Sequence, residues 1–221
     1  YNFAPTTTAK KHLLQEGKKP ESIFVTGNTV IDALQTTIID HYTHPVLDWA
    51  KGSRLVMLTA HRRENLGQPL YHIFEGIKRT IDEVEDVKVI YPIHLNPVVR
   101  KTAVDVFGDH PRMRIIEPLD VLDFHNFMDR SYMILTDSGG IQEEAPALGK
   151  PVLVMRDVTE RPEGIAAGTL KLVGTDADVI HREFLKLLTD PEAYQAMSKA
   201  SNPYGDGTAC KQIVEILKTR L

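Results

Sequence analysis

Three clusters of polar side chains in this sequence each follow a short apolar run, and each has the residue types of a ligand-binding turn. Asp137-Ser138-Gly139-Gly140 closes the run Tyr132–Thr136 and opens onto Ile141-Gln142-Glu143-Glu144. Two glycines between a buried strand and a helix let the backbone approach a ligand closely. The helix that follows offers unpaired N–H groups and the positive end of its dipole. A phosphate or diphosphate suits such a turn; a tight strand–helix connection with no ligand is the plainer reading. Neither standard nucleotide motif is present, since there is no GxGxxG here and Gly149-Lys150-Pro151 lacks the Ser/Thr and the spacing of a P-loop. Glu144 follows Gly140 at i+4 and so shares its side of the helix, where a carboxylate can accept from two hydroxyls such as those of a ribose. Favourable placement near the helix dipole would explain Glu144 equally well. Glu143, one position away, is read as a solvated helix charge.

His61-Arg62-Arg63-Glu64-Asn65 follows the run Leu55–Thr59. Imidazole can donate to a phosphate oxygen or move a proton near neutral pH, and guanidinium suits bidentate phosphate binding. An Arg–Glu pair on a solvated loop accounts for one of the two arginines without any ligand. His94 sits among prolines in Tyr91-Pro92-Ile93-His94-Leu95-Asn96, where a lone histidine is more often structural than functional. The stretch Arg156–Gly164 reads as a long charged loop whose Arg161 and Glu163 can reach the same rim. His61, His94 and His125 could in principle ligate a metal, but no short-spaced ligand pair supports it, so no metal is expected.

The elements that must carry these clusters alternate. Strand-like runs at Leu55–Thr59, Val87–Pro92, Met113–Ile116, Tyr132–Thr136, Pro151–Met155 and Leu170–Val173 are separated by helical stretches at Pro69–Val84, Pro97–Phe107, Leu119–Met128 and Ile141–Leu148. Such alternation predicts a doubly wound α/β domain with a parallel sheet covered on both faces. In that architecture ligands bind beyond the carboxyl ends of the strands, which is where all three clusters fall. Two helices follow, Asp178–Leu188 and Pro191–Lys199. The tail 207–221 is amphipathic, with Ala209, Ile213, Ile216, Leu217 and Leu221 on one side. Before the alternation come a helix after Thr6–Thr8, a strand at Ser22–Thr26, a helix through Val30, Leu34 and Ile38, and a polar linker at His41–Gly52. The chain starts without Met and in mid-pattern, which reads as a piece of a longer protein, with a processed or trimmed chain as the alternative.

Composition sets the outer bounds. The 221 residues are 42% hydrophobic and 25% charged, with a net charge of −4, so nothing favours a nucleic-acid partner or a disordered chain. One cysteine, Cys210, excludes an internal disulfide, and no apolar run approaches the ~20 residues of a membrane helix. The expectation is a soluble, cytoplasmic globular protein with no membrane partner.

Six ordered blocks resemble the carboxyl-terminal part of the non-hydrolysing UDP-N-acetylglucosamine 2-epimerases, a bacterial family of cell-surface polysaccharide biosynthesis. They are Val25–Asp32, His61–Asn65, Pro92–Pro97, Asp137–Glu144, Thr159–Gly164 and Asn202–Gly207. The resemblance covers nearly the whole chain. It implies the two-domain GT-B arrangement, in which residues 1–50 are a remnant of the first domain and a linker. Residues 51–204 would be a Rossmann-like UDP-binding domain, and 205–221 a terminal helix that packs back on the first domain. It also implies interconversion of UDP-N-acetylglucosamine and UDP-N-acetylmannosamine by elimination and re-addition of UDP, with no cofactor and a homodimer when complete. Carried over, Ser138 and Gly139 would hold the diphosphate, Glu144 the ribose, and Arg161 the nucleotide. His61 would lie against the phosphate as the catalytic group, and Phe124 beside the uracil. Arg62 and His94 match positions that bind a second, activating UDP-N-acetylglucosamine. Leu119 and Gln212 depart from the family pattern, and the first domain, which carries the carboxylates for proton transfer, is almost entirely missing. A GT-B glycosyltransferase domain and a non-catalytic UDP-sugar-binding module are the alternatives.

Overall fold

In a computed structural model, which describes residues 1–220, the chain opens with a small parallel pair. β1 (Asn2–Ala4) pairs with β2 (Ile23–Val25), Phe3 opposite Phe24, across α1 (Thr7–Gln15), whose first turn is capped by the Thr6 hydroxyl. α2 (Thr29–Thr37) begins at Asn28, whose side chain accepts from the Val30 N–H. The stretch expected as a linker holds a further helix, α3 (Pro45–Ala50). Pro45 is tolerated in the first turn, the His44 ring accepts from the Val46 N–H, and Trp49 packs on the core with Lys88 and Arg114 against its ring.

The main sheet contains β3 (Arg54–Thr59), β4 (Val87–Pro92), β5 (Met113–Ile116), β6 (Met133–Thr136), β7 (Val152–Val154) and β8 (Leu170–Leu172). All pairings are parallel, in the spatial order β5-β4-β3-β6-β7-β8. Strand order therefore reverses between β3 and β6, whose ends meet at Thr59 opposite Thr136. The expected doubly wound α/β fold is what the chain adopts, with the strand order of the dinucleotide-binding folds.

Each strand is apolar on both sides because helices cover both. Val56, Leu58, Val89, Tyr91, Met133 and Leu135 face one core, while Leu55, Met57, Ile90, Ile134, Val152 and Val154 face the other. On the first side lie α4 (Gln68–Glu83), α5 (Pro97–Phe107) and α9 (Ala177–Thr189). On the second lie α2, α6 (Val121–Asp129) and α7 (Ile141–Ala147). In α4, Leu70, Ile73, Phe74, Ile77 and Ile81 repeat at helical spacing and are fully buried. Gly76 lets α4 touch the start of α9: a Cβ there would stand 2.6 Å from the Ala177 carbonyl oxygen.

Four helices complete the chain: α8 (Pro162–Ala167), α9 (Ala177–Thr189), α10 (Pro191–Ser198) and α11 (Ala209–Arg220). α8 lies partly inside the stretch read as a loop, again starting at a proline. α11 returns to the amino-terminal segment. Asp32 of α2 accepts from the Ala209 and Cys210 N–H groups, Gln212 reaches the Thr26 carbonyl, and Arg220 lies over the Phe24 ring. Among the described residues, no helix is long and apolar enough to cross a membrane.

Candidate functional site

The strand ends at the reversal point open into a cleft of about 750 Å³. Its walls come from the loops after β3, β4, β5 and β6 and from the amino-terminal halves of α6 and α7, so the three polar clusters do share one rim. His61, His94, Phe124, Ser138 and Glu144 all line it.

Asp137 organises the floor. It stands one residue beyond β6, fully buried, and its Oδ2 accepts from the N–H groups of His61 and Arg62 at 2.8 Å each and from the Asn65 amide at 3.2 Å. A single carboxylate oxygen thus shapes the whole His61–Asn65 turn. Its Oδ1 has no hydrogen-bond partner among the described residues and lies 3.8 Å from His61 Nδ1. The His61 ring, so placed, stacks on His94 at 5.2 Å with an interplanar angle of 7°.

Above this floor Gly139 sits between two guanidinium groups. A Cβ at Gly139 would lie 3.4 Å from Arg62 Nη2 and 3.8 Å from Arg161 Nη2. Arg62 is held there by its Nε donating to the Asp137 carbonyl at 3.1 Å, and Arg161 by its Nε donating to Glu143. Glu143 is therefore not the solvated helix charge expected. It is 5% exposed and also accepts from the Asn28 side chain, because α2 and the Arg161 loop both close over that face of α7. Two cations beside a glycine backbone form a seat for an anion with more than one charge.

The opposite wall is apolar with one carboxylate. Phe124 and Leu119 are half-buried there. Glu144 Oε1 points toward Gly140, 3.5 Å from where a Cβ would stand, and Oε2 lies 3.5 Å from Nε2 of the buried His125. The three histidines do not converge: His125 is turned away from the stacked His61 and His94 toward Thr37 and Glu144. Among the described residues, no group of three or more His, Cys, Asp or Glu side chains could hold a metal ion.

A second brace lies beneath the rim. Arg156, 6% exposed, reaches Glu64 at 2.9 Å and Glu160 at 2.7 Å, tying the loop after β3 to the loop after β7. Its hydrogen bond with Glu160 raises the guanidinium further and holds the Glu160 carboxyl down at about 2. Gln142 links the same loop to the Ser138 turn, donating to the Ser138 carbonyl and accepting from Thr159.

The family model described as UDP-N-acetylglucosamine 2-epimerase matches residues 1–218. The chain belongs to that family. The UDP-N-acetylglucosamine 2-epimerase of Bacillus subtilis is 62% identical over 216 residues, covering 98% of this chain and 57% of the relative. A co-structure of S. aureus MnaA with UDP superposes with a TM-score of 0.95 at 53% identity, over 99% of this chain and 60% of that one. The Neisseria meningitidis UDP-GlcNAc 2-epimerase bound to UDP-GlcNAc gives 0.90 at 43% identity, over 99% and 61%. The chain thus spans less than two thirds of the length of these epimerases.

Among the residues that the epimerase resemblance singles out, His61, His94, Phe124, Ser138 and Glu144 face the cleft, and Gly139 adjoins Arg62 and Arg161. Arg161 lines a neighbouring pocket with Thr6, Asn28 and Glu143 and reaches toward the cleft past Gly139. Arg62, His94 and Asn96 also border a separate depression with His61, Arg63 and Glu64. Sequence reasoning missed Asp137 as an organiser, Asn65, Arg156 and the His125 contact. The only available signal was a polar type at a position the fold buries.

Proposed function

We propose that this chain is the UDP-binding half of a UDP-N-acetylglucosamine 2-epimerase. The observation that carries the reading is the seating of Gly139 between the Arg62 and Arg161 guanidiniums, with the Glu144 carboxylate across the same cleft. That spacing suits a nucleoside diphosphate: phosphates on the cations and Gly139, ribose hydroxyls on Glu144, base along Phe124. The sugar would then project over His61 toward the side where the family's first domain stands.

The chemistry follows from the charges. The proton on carbon 2 of the sugar is weakly acidic, so the route is removal of that proton with breakage of the bond from carbon 1 to the diphosphate. Re-addition of UDP and return of a proton to the other face complete the inversion. Departure of UDP gathers negative charge on the leaving phosphate, which Arg161 and His61 would stabilise in this reading. The carboxylate that takes the proton belongs to the other domain in this reading. Arg62 and His94 would additionally hold a second, activating nucleotide sugar, a reading supported by their shared depression outside the cleft. The cytoplasmic homodimer and the domain limits 1–50, 51–204 and 205–221 belong to the same proposal.

The test uses a protein of the relatives' full length carrying this chain. Mixed with UDP-N-acetylglucosamine and followed by its anomeric proton signals, it should produce the manno epimer. It should keep doing so after exhaustive chelation and lose most of the rate on His61→Asn. Glu144→Ala should weaken UDP binding by about 1–3 kcal/mol in calorimetry, the cost of stranding the ribose hydroxyls. UDP binding without epimerisation would favour a UDP-sugar-binding module instead.

A further inference from the structure

His125 is a titratable side chain beside the cleft that neither the diphosphate seat nor the sugar chemistry uses. It is 4% exposed on α6, wedged between α2 and α7. Its Nδ1 lies 2.8 Å from the Thr37 hydroxyl, and its Nε2 lies 3.5 Å from Glu144 Oε2. The mount is firm: the neighbouring Asn126 accepts from the Ile39 N–H at 2.9 Å and donates to the Thr37 carbonyl at 2.7 Å.

Proton counting relates what His125 offers Glu144 to its contact with Thr37. The Thr37 hydroxyl has one proton and also lies 3.1 Å from the Ala33 carbonyl oxygen. If Thr37 donates to Nδ1, the neutral ring carries its proton on Nε2. The tautomer that accepts from Thr37 is therefore the one that offers Glu144 an Nε2–H.

We propose that His125 is the positioning residue for Glu144, and that through it the site selects a ribonucleotide over a 2′-deoxyribonucleotide. The Nε2 edge faces Oε2 at 3.5 Å and leaves Oε1 turned toward Gly140 and the cleft. A glutamate side chain left to itself spreads over several rotamers, and a carboxylate that must accept from ribose hydroxyls gains from being held in one. The inference rests on the reading of Glu144 as the ribose acceptor.

Calorimetric titration of the full-length protein with UDP and with 2′-deoxyuridine 5′-diphosphate tests it. His125→Asn keeps a polar group within reach of Thr37 but none at Glu144. His125→Gln carries an amide donor about as far out as Nε2. His125→Asn should weaken UDP binding roughly tenfold and the deoxy compound, which offers Glu144 only its 3′-hydroxyl, by no more than about threefold, and His125→Gln should recover most of the difference. Equal losses for both nucleotides, or no loss in a protein whose Glu144→Gln variant does lose the preference, would overturn the inference and leave the ribose reading standing. If Glu144→Gln leaves the preference intact, the ribose reading fails and takes the inference with it.

Discussion

Asp137 concentrates the physics of the site in one side chain. Its Oδ2 satisfies two backbone N–H groups and an amide in a place that excludes water, so removing the carboxylate strands buried donors whose desolvation is then uncompensated. Asp137→Ala should destabilise the fold by about 3 kcal/mol or more in urea denaturation. Asp137→Asn is the sharper probe. Its one remaining oxygen can keep the N–H bonds of His61 and Arg62, but its amide then faces His61 where the unpartnered Oδ1 stood. Stability should change by only about 1 kcal/mol, while epimerisation by the full-length protein, read by NMR, should fall severely. A parallel loss of both would mean the carboxylate serves the fold alone. The glycines after Asp137 announce turn chemistry in the sequence, and so does the His61–Asn65 block. The bonds between them cross 72 to 76 residues, and burial across such separations has no local signature. For the same reason Glu143 and Glu144, adjacent and alike on paper, end up with different jobs: one is clamped under Arg161, and the other lines the cleft.

Elements fared differently from residues because their signals are local. The limits of β4, β5 and α5 are those that apolar periodicity predicts, since Val87–Pro92, Met113–Ile116 and Pro97–Phe107 each carry a full pattern between turn residues. α3 and α8 were hidden by prolines, which mark a break in one reading and a first helical turn in the other; only packing decides. Two predictions belong at this scale. Gly76→Ala should destabilise the chain by about 1–3 kcal/mol, because the added methyl meets backbone of α9 and two packed helices must separate. Calorimetric unfolding would check it, and an unchanged midpoint would mean that α4 and α9 can slide apart freely. The second concerns the Arg156 brace between the loops after β3 and β7. The Glu160 carboxyl lies at about 2 in the folded chain against 4.5 for a free one, because Arg156 donates to it. A depressed carboxyl contributes stability that is present in full above about pH 4.5 and is lost as pH falls through about 2. Glu160→Gln should therefore lower stability at neutral pH, where the parent has the full contribution, and the difference between the two proteins should shrink away as pH falls from about 4.5 towards about 2. An acid profile identical to that of the parent would remove the brace from the account.

At the scale of the whole molecule, the reversal of strand order between β3 and β6 explains why residues from three distant loops share a rim, and the fold class alone forecasts it. What fold class cannot supply is the other side of the cleft. The relatives are longer, with this chain covering 57% of the Bacillus subtilis enzyme, and Glu144, Phe124 and His61 line a cleft built from this chain alone. The sugar of a bound UDP-N-acetylglucosamine would stand in water, free to rotate. Enforced positioning can account for ~7–11 kcal/mol of a barrier, and a single wall enforces little. Folding is a separate matter. In the tail, Ala209 is buried and Ile213 and Leu217 are half-buried, with Asp32 capping the helix against α2. The six-stranded sheet likewise has both faces covered within the chain. The 221-residue chain by itself should therefore unfold cooperatively and bind UDP weakly, yet produce no manno epimer from UDP-N-acetylglucosamine on the timescale at which a full-length protein reaches equilibrium. NMR of the anomeric protons reads that outcome directly. Turnover at an enzymatic rate would mean that a carboxylate within these residues takes the carbon-2 proton. Among those at the rim, Glu144 and Asp137 would then have to give up the roles assigned to them here.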